Sequence, residues 1–174
     1  VAFASTGRDI VSGSVNGALI ITRDNGTTFA LPSSSGGIDV AAFLPDGRVV
    51  ATNAQRRLRV YDPGGAVLAD LEIPARVMSL RLDGTRLVTI PNLPAYTGNA
   101  GSPVLLDLEH YRVVAQLKGH DSRVFSARWV AGHQILTAGY DGTARLWDGW
   151  TGQLRQTYQG DSRLLADATL APDG

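Results

Sequence analysis

Between Gly119 and Gly160 the chain spells out one complete structural unit. It opens on Gly119-His120, runs through an apolar stretch to Trp129, and then reads Leu136-Thr137-Ala138-Gly139-Tyr140-Asp141-Gly142. It closes on Ala144-Arg145-Leu146-Trp147-Asp148 before the next glycine. Apolar runs this short, rich in β-branched and aromatic residues and bounded by Asp-Gly, make strands rather than helices. The spacing predicts four antiparallel strands joined by tight turns.

The unit recurs. The turn glycines Gly7, Gly47, Gly84, Gly132 and Gly174 lie 40, 37, 48 and 42 residues apart. The closing aspartates Asp24, Asp62, Asp107 and Asp148 lie 38, 45 and 41 apart. A fixed period means a stack of like units, each burying a face that its neighbour covers. Expected strands include Ile38–Leu44, Arg48–Thr52, Leu58–Tyr61 and Ala66–Leu71. No segment carries a helical apolar period over a dozen residues. The expected fold class is all-β.

A Gly-His opening, an Asp-Gly turn and a Trp-Asp close resemble the WD-repeat β-propeller family. The resemblance implies four-stranded antiparallel blades at about 1–31, 32–72, 73–117 and 118–158, and the first strand of a fifth at 159–174. Four blades and a strand stand at the low end for such folds. The chain is therefore expected to be a partial propeller, an arc of a larger one or a processed piece of a longer polypeptide. The missing blades would come from the same or another chain; a self-closed four-bladed ring is the other possibility.

In WD repeats a His, a second-strand Ser or Thr, a turn Asp and a third-strand Trp form a buried hydrogen-bond relay. The resemblance places it on His120, Thr137, Asp141 and Trp147. The carboxylate fixes the imidazole tautomer, the imidazole meets the hydroxyl, and the hydroxyl accepts the indole N–H. His, Thr and Asp together also suggest hydrolytic catalysis, but a Trp donor closing the relay leaves no exposed nucleophile. The other blades depart from the pattern. Blade two has Tyr61-Asp62 and Gln55, blade three ends Leu106-Asp107 without Gly-His, and Gly160-Asp161 stands where a fifth blade would open.

Thr22-Arg23-Asp24-Asn25-Gly26-Thr27-Thr28-Phe29 resembles the Asp-box of sialidase-type propellers. There the motif is a folding device, in which Asp and Thr bond the turn backbone while the aromatic packs between blades. It supports an alternative reading, a glycan-handling propeller hydrolase. That chemistry asks for an arginine triad around a Tyr/Glu pair, and the only glutamates are Glu72 and Glu109, both expected on outer strands or their turns.

Composition narrows the function further. Sixteen basic and sixteen acidic residues give a formal net charge of +0, so nothing draws the chain generically to nucleic acid or an anionic membrane. Lys118 is the only lysine, as a G+C-rich bacterial genome would produce. There is no cysteine, hence no disulfide, thiolate metal site or cysteine nucleophile. Gly36-Gly37 and Gly64-Gly65 read as turns rather than phosphate cradles. His110 and His133 are expected to be solvated turn histidines without a carboxylate cluster, so no metal and no cofactor is expected. No signal peptide or run of 18 apolar residues occurs, and the expected location is cytoplasmic.

In a WD-type blade the connections between strands two and three, and from one blade to the next, emerge on one face. In blade three the first of these expands to 91–103. Long loops in compact repeat folds tend to carry function. Arg56, Arg57, Tyr96, Asn99 and Tyr140 are the expected partner-binding residues, with Arg86 and His133 on the opposite face. Arg and Tyr are enriched among interface hot spots. The expected function is a non-enzymatic protein- or peptide-binding scaffold or sensor, a signalling segment of a larger polypeptide.

Overall fold

A computed structural model describes residues 2–3, 9–32, 36–91, 101–160 and 164–171. Among them there are sixteen strands and no helix longer than a single 3-10 residue. Blade one is β1 (Ala2–Phe3), β2 (Ile10–Gly13), β3 (Leu19–Thr22) and β4 (Thr28–Leu31). Blade two is β5 (Ile38–Phe43), β6 (Val49–Asn53), β7 (Arg57–Tyr61) and β8 (Val67–Glu72). Blade three is β9 (Val77–Asp83), β10 (Arg86–Pro91), β11 (Val104–Asp107) and β12 (Arg112–Gln116). Blade four is β13 (Val124–Val130), β14 (Gln134–Gly139), β15 (Thr143–Asp148) and β16 (Leu154–Gln159). Each blade is a four-stranded meander in sequence order.

The chain divides into two compact units, Val1–Met78 and Ser79–Gly174. Each holds a stacked pair of blades, because every sheet has an apolar face that a second layer must cover. In the first unit, Val11, Leu19, Ile21 and Leu31 of blade one pack against Phe43, Val49, Ala51 and Tyr61 of blade two. In the second, Val88, Ile90, Leu105 and Leu117 of blade three meet Ala127, Ile135 and Trp147 of blade four. Burying one such side chain stabilises by about 1.5–3 kcal/mol, which is the main force holding blade to blade.

The hairpins between third and fourth strands show what a closing aspartate does. Asp62 accepts the Ala66 N–H at 2.8 Å. Asp107 accepts those of Glu109 and His110 at 3.0 and 3.2 Å. Asp148 accepts those of Trp150 and Thr151 at 2.9 and 2.8 Å. Each carboxylate satisfies donors that the turn leaves unpaired.

Blade one corrects the expected series. Its turn bond from Arg23 N to the Thr27 carbonyl matches that from Asp62 N to the Ala66 carbonyl, so Arg23 rather than Asp24 occupies the closing position. An arginine cannot accept, and other groups take over. Asn25 accepts from the Thr27 amide and hydroxyl at 3.0 and 2.7 Å. Asp9 accepts from Asp24 N at 2.9 Å and Arg23 Nη1 at 2.8 Å. The Asp-box-like turn is thus fastened by Asn25 and Asp9 and not by the Asp24 side chain. Phe29 does pack against the core between blades one and two, with the Arg23 guanidinium 5.2 Å from its ring centre.

The strand expected to open a fifth blade at 159–174 is also corrected. Residues 164–171 form no ladder, since no neighbouring strand lies within the described residues to pair with them. They lie instead as irregular chain over blade four. Leu165, Ala168 and Leu170 cover Leu136, Ala144 and Leu146, and the Leu165 N–H reaches the Gly139 carbonyl at 3.2 Å.

Candidate functional site

Blade four brings four polar side chains together in its interior. Gly119-His120 enters ahead of β13, Thr137 sits on β14, Trp147 on β15, and Asp141 in the turn between those strands. The Asp141 carboxylate lies 2.9 Å from His120 Nδ1. His120 Nε2 lies 2.7 Å from Thr137 Oγ1, and the Trp147 indole N–H donates to the same oxygen at 2.8 Å. Asp141 also accepts from the Asp121 amide at 2.9 Å and from the Thr143 hydroxyl at 2.9 Å. A side chain at Gly139 would strike the relay, because a Cβ there would stand 2.6 Å from His120 Nδ1.

The bonding pattern fixes the protons. The Asp141 carboxylate can only accept, so His120 donates Nδ1–H to it, which leaves Nε2 to accept the Thr137 hydroxyl hydrogen while the indole donates into the same oxygen. Burial pushes the His120 pKa below the usual imidazole value, against the upward pull of Asp141. Burial works to raise the Asp141 pKa, but the bonds from His120, the Asp121 amide and Thr143 outweigh it and hold the carboxyl low. Neutral imidazole and ionised carboxylate are therefore the resting forms. Thr137 is fully buried, and its oxygen is already engaged by two partners. His120 and Trp147 are each 2% exposed, so the relay is closed off from solvent.

The residues expected at the binding face fall in different surroundings. Arg56 belongs to the first unit, has a left-handed backbone (φ 62°) and reaches the Pro74 carbonyl at 3.4 Å. Arg57 is tied along the outer ladder of blade two, its Nε 2.8 Å from an Asp70 carboxylate oxygen and its Nη2 3.0 Å from the Asp70 carbonyl. Arg59 takes the other Asp70 oxygen at 2.9 Å. Burial would raise the Asp70 pKa, and the two arginines lower it. Tyr140 belongs to the second unit, where it stacks on Phe125 with ring centres 5.4 Å apart and planes 8° from parallel. Arg123 caps the stack, 5.7 Å from the Phe125 ring centre. Tyr96 and Asn99 lie outside the described residues. A contact between a bulge residue and a turn residue gives no periodic signal in sequence, so the Phe125–Tyr140 stack had no mark there.

The opposite side of the second unit is more elaborate than expected. Arg86 lies 4.9 Å below the ring centre of Trp150, and His133 meets the same indole with ring centres 5.3 Å apart. His133 Nδ1 is 2.6 Å from Asp83, and His110 Nδ1 is 2.9 Å from Asp107. The two turn histidines stay exposed, as expected of solvated turn residues, and each is in addition paired with a carboxylate. Asp107, Glu109 and His110 bring ligand atoms within 4.8 Å of one another. Asp107 also faces Arg86 at 3.6 Å and Arg112 at 3.5 Å. Burial would raise its pKa, yet the His110 and amide bonds and Arg86 bring it down. Its charge is met by protein cations, so this trio makes a poor seat for a metal ion.

The family model "WD domain, G-beta repeat" matches residues 111–148, from the last strand of blade three to the closing aspartate of blade four. Residues 111–148 thus match a WD repeat, and the four-stranded blades around them have the fold of a WD-repeat β-propeller. The WD-repeat match extends to the DENN domain and WD repeat-containing protein SCD1 of Arabidopsis thaliana. The identity there is 40% over 42 residues, 24% of this chain and 4% of that protein. Among solved structures, the computationally designed Ika8 protein aligns with TM-score 0.71 and 22% identity, over 88% of this chain and 47% of that one. A chain of the Mitotic Checkpoint Complex aligns with TM-score 0.74 and 16% identity, over 99% of this chain and 53% of that one. The chain spans about half of either structure and a small fraction of the plant relative.

Proposed function

We propose that this WD-repeat chain is a non-enzymatic scaffold that binds protein or peptide through the turns of its blades. The observation that carries the reading is the closure of the relay. Its one hydroxyl is fully buried and already bonded to both imidazole and indole, so these residues hold a blade rather than attack a substrate. Groups that reach solvent stand at the turns instead, among them the exposed Arg56 and the half-buried Tyr140. A signalling or sensor role within a larger polypeptide belongs to the same proposal.

Further blades, from the same polypeptide or another chain, complete the stack in this reading. Leu136 and Leu146 of blade four hold the register positions that Val88 and Leu105 hold in blade three. In blade three those residues are covered by blade four; in blade four only the irregular segment 164–171 covers them. A sheet face built to be covered by a sheet supports the reading that another blade belongs there.

The test is partner capture by three immobilised forms: wild type, Arg56→Ala/Tyr140→Ala, and Thr137→Val assayed below its melting temperature. Scaffolding through the turns predicts that the surface variant loses the partner by tenfold or more, on the order of a hot-spot loss, while folded Thr137→Val keeps it. Retention by the surface variant with loss in Thr137→Val sinks the reading.

A further inference from the structure

In the second unit a groove of about 620 Å³ runs beside β13, with Arg81, Phe125, Arg128, Trp129 and Asp167 among its walls. Every residue from Phe125 to Trp129 lines it. Successive side chains of a strand point to opposite faces, so a groove touching five in a row follows the edge of the strand and not a face. β13 is indeed the first strand of its sheet and pairs only with β14. Its other edge turns backbone donors and acceptors toward the groove, which is the template an extended chain needs to add as a strand.

Two features set the chemistry of the chain that would lie there. Register slips between Val124 and Ser126, so Phe125 is the extra residue of a bulge. Bulges re-aim side chains, and Phe125 is left 37% exposed, backed by the Tyr140 stack. The groove also holds more cation than anion. Arg128 pairs with Asp167, whereas Arg81 meets the Ser79 hydroxyl and the Leu80 carbonyl and, among the described residues, no carboxylate. The wall carries two guanidiniums against one carboxylate.

We propose that this groove binds an extended acidic protein segment, which pairs with the β13 edge through its main chain and sets carboxylates on Arg81 and Arg128. An apolar residue of the segment rests on Phe125. The inference rests on the protein-binding reading above; its surface meets the turns at the Phe125–Tyr140 stack, so its test varies Arg81 and Arg128 instead. Protein is favoured over single-stranded nucleic acid because main-chain pairing uses the open edge, which a phosphate backbone cannot.

The probe is a fluorescent peptide of alternating Glu and Val, about seven residues long to match β13, titrated into the whole chain. Controls are the Lys-Val peptide, the Glu-Val peptide with N-methylated backbone, and a poly-dT strand. The expected result is saturable binding of the Glu-Val peptide, weakened at least tenfold by Arg81→Gln/Arg128→Gln and by backbone methylation. Arg112→Gln, on the remote side, leaves it unchanged. Hydrogen exchange of wild type with the peptide bound should slow at β13 and not at β16, which keeps the proposal testable if the double variant unfolds. No binding to wild type, equal binding of the Lys-Val peptide, tighter binding of poly-dT, or protection elsewhere than β13 overturns it. Absence of peptide binding with turn-dependent partner capture intact sinks only the groove; peptide binding with the partner still captured by Arg56→Ala/Tyr140→Ala sinks only the turn-face reading.

Discussion

Blade four seats Trp147 opposite Ile135 and sends its indole N–H to Thr137, whereas blade two seats Tyr61 opposite Val49 and sends its hydroxyl to the Pro32 carbonyl at 2.8 Å. The cross-strand partners put Ala51 at the place of Thr137 and Thr52 at that of Ala138. In blade four the aromatic ties the strand inward, to a buried histidine and a carboxylate. In blade two it ties the strand sideways to the connection that enters the blade, and the charged work moves to the outer ladder, where Arg57 and Arg59 share Asp70. Both blades fill the apolar face equally well, with Tyr61 and Trp147 1% and 2% exposed. The fold asks for a large aromatic at this register; the relay is an added layer of order, and its groups depend on one another.

That dependence is most exposed by Thr137→Val. The swap keeps the shape but strands a buried imidazole nitrogen and a buried indole N–H, and each orphaned group costs about 1–3 kcal/mol. A total loss of about 2–4 kcal/mol is expected, read as faster hydrogen exchange in β14 and β15 and a lower melting temperature. A loss below 1 kcal/mol would mean that the relay is ornament and the two blades are energetically alike.

The contrast also shows where sequence was legible. Turn chemistry announces itself locally, so Asp62, Asp107 and Asp148 could be found from spacing, and the blades with them. Blade one misled because an Asp-Asn-Gly run offers two plausible anchors one residue apart, and only the turn bond of Arg23 to Thr27 decides between them. Residues 164–171 carry strand-like apolar spacing, but a strand exists only through its partner, and none is present among the described residues. The groove beside β13 joins Arg81 to residues more than forty positions away, a relation without a period.

Blade two is probed by Tyr61→Phe. The hydroxyl loses its bond to the Pro32 carbonyl and its contact with the Arg59 guanidinium, both of which lie near solvent where water replaces it. The expected cost is about 0.5–1.5 kcal/mol, seen as a modest fall in the melting temperature of the first unit. If it equals the Thr137→Val loss, dependence between groups is not what separates the blades.

Acid should separate them more gently. Folding lowers the His120 pKa from 6.5, so over the window below that value the unfolded chain binds more protons and stability rises with pH. The contribution is complete above pH 6.5 and fades as pH falls through the lowered value, opposed in part by Asp141. Blade two holds no histidine, and Asp70, with its pKa lowered from 3.8, matters only in stronger acid. Hydrogen exchange corrected for intrinsic rates should show β14–β15 losing protection between pH 7 and 5 while β6–β7 keep theirs. Parallel loss in both blades would move the acid sensitivity elsewhere.

The smallest effect carries the opposite sign. Thr52 is 1% exposed, and among the described residues its hydroxyl has no hydrogen-bond partner, so blade two already bears the desolvation cost that Thr137→Val would impose on blade four. Thr52→Val replaces that hydroxyl with a methyl group of the same shape, and removing an unsatisfied buried polar group is neutral to stabilising. A gain of about 0–1 kcal/mol is expected, with slower exchange in β6. One chemical change, Thr to Val, one register step apart on corresponding strands, should thus weaken blade four and leave blade two as stable or more so. Were Thr52→Val to cost more than 1 kcal/mol, its hydroxyl must hold a bond to solvent or to a partner, and blade two would have a polar device of its own.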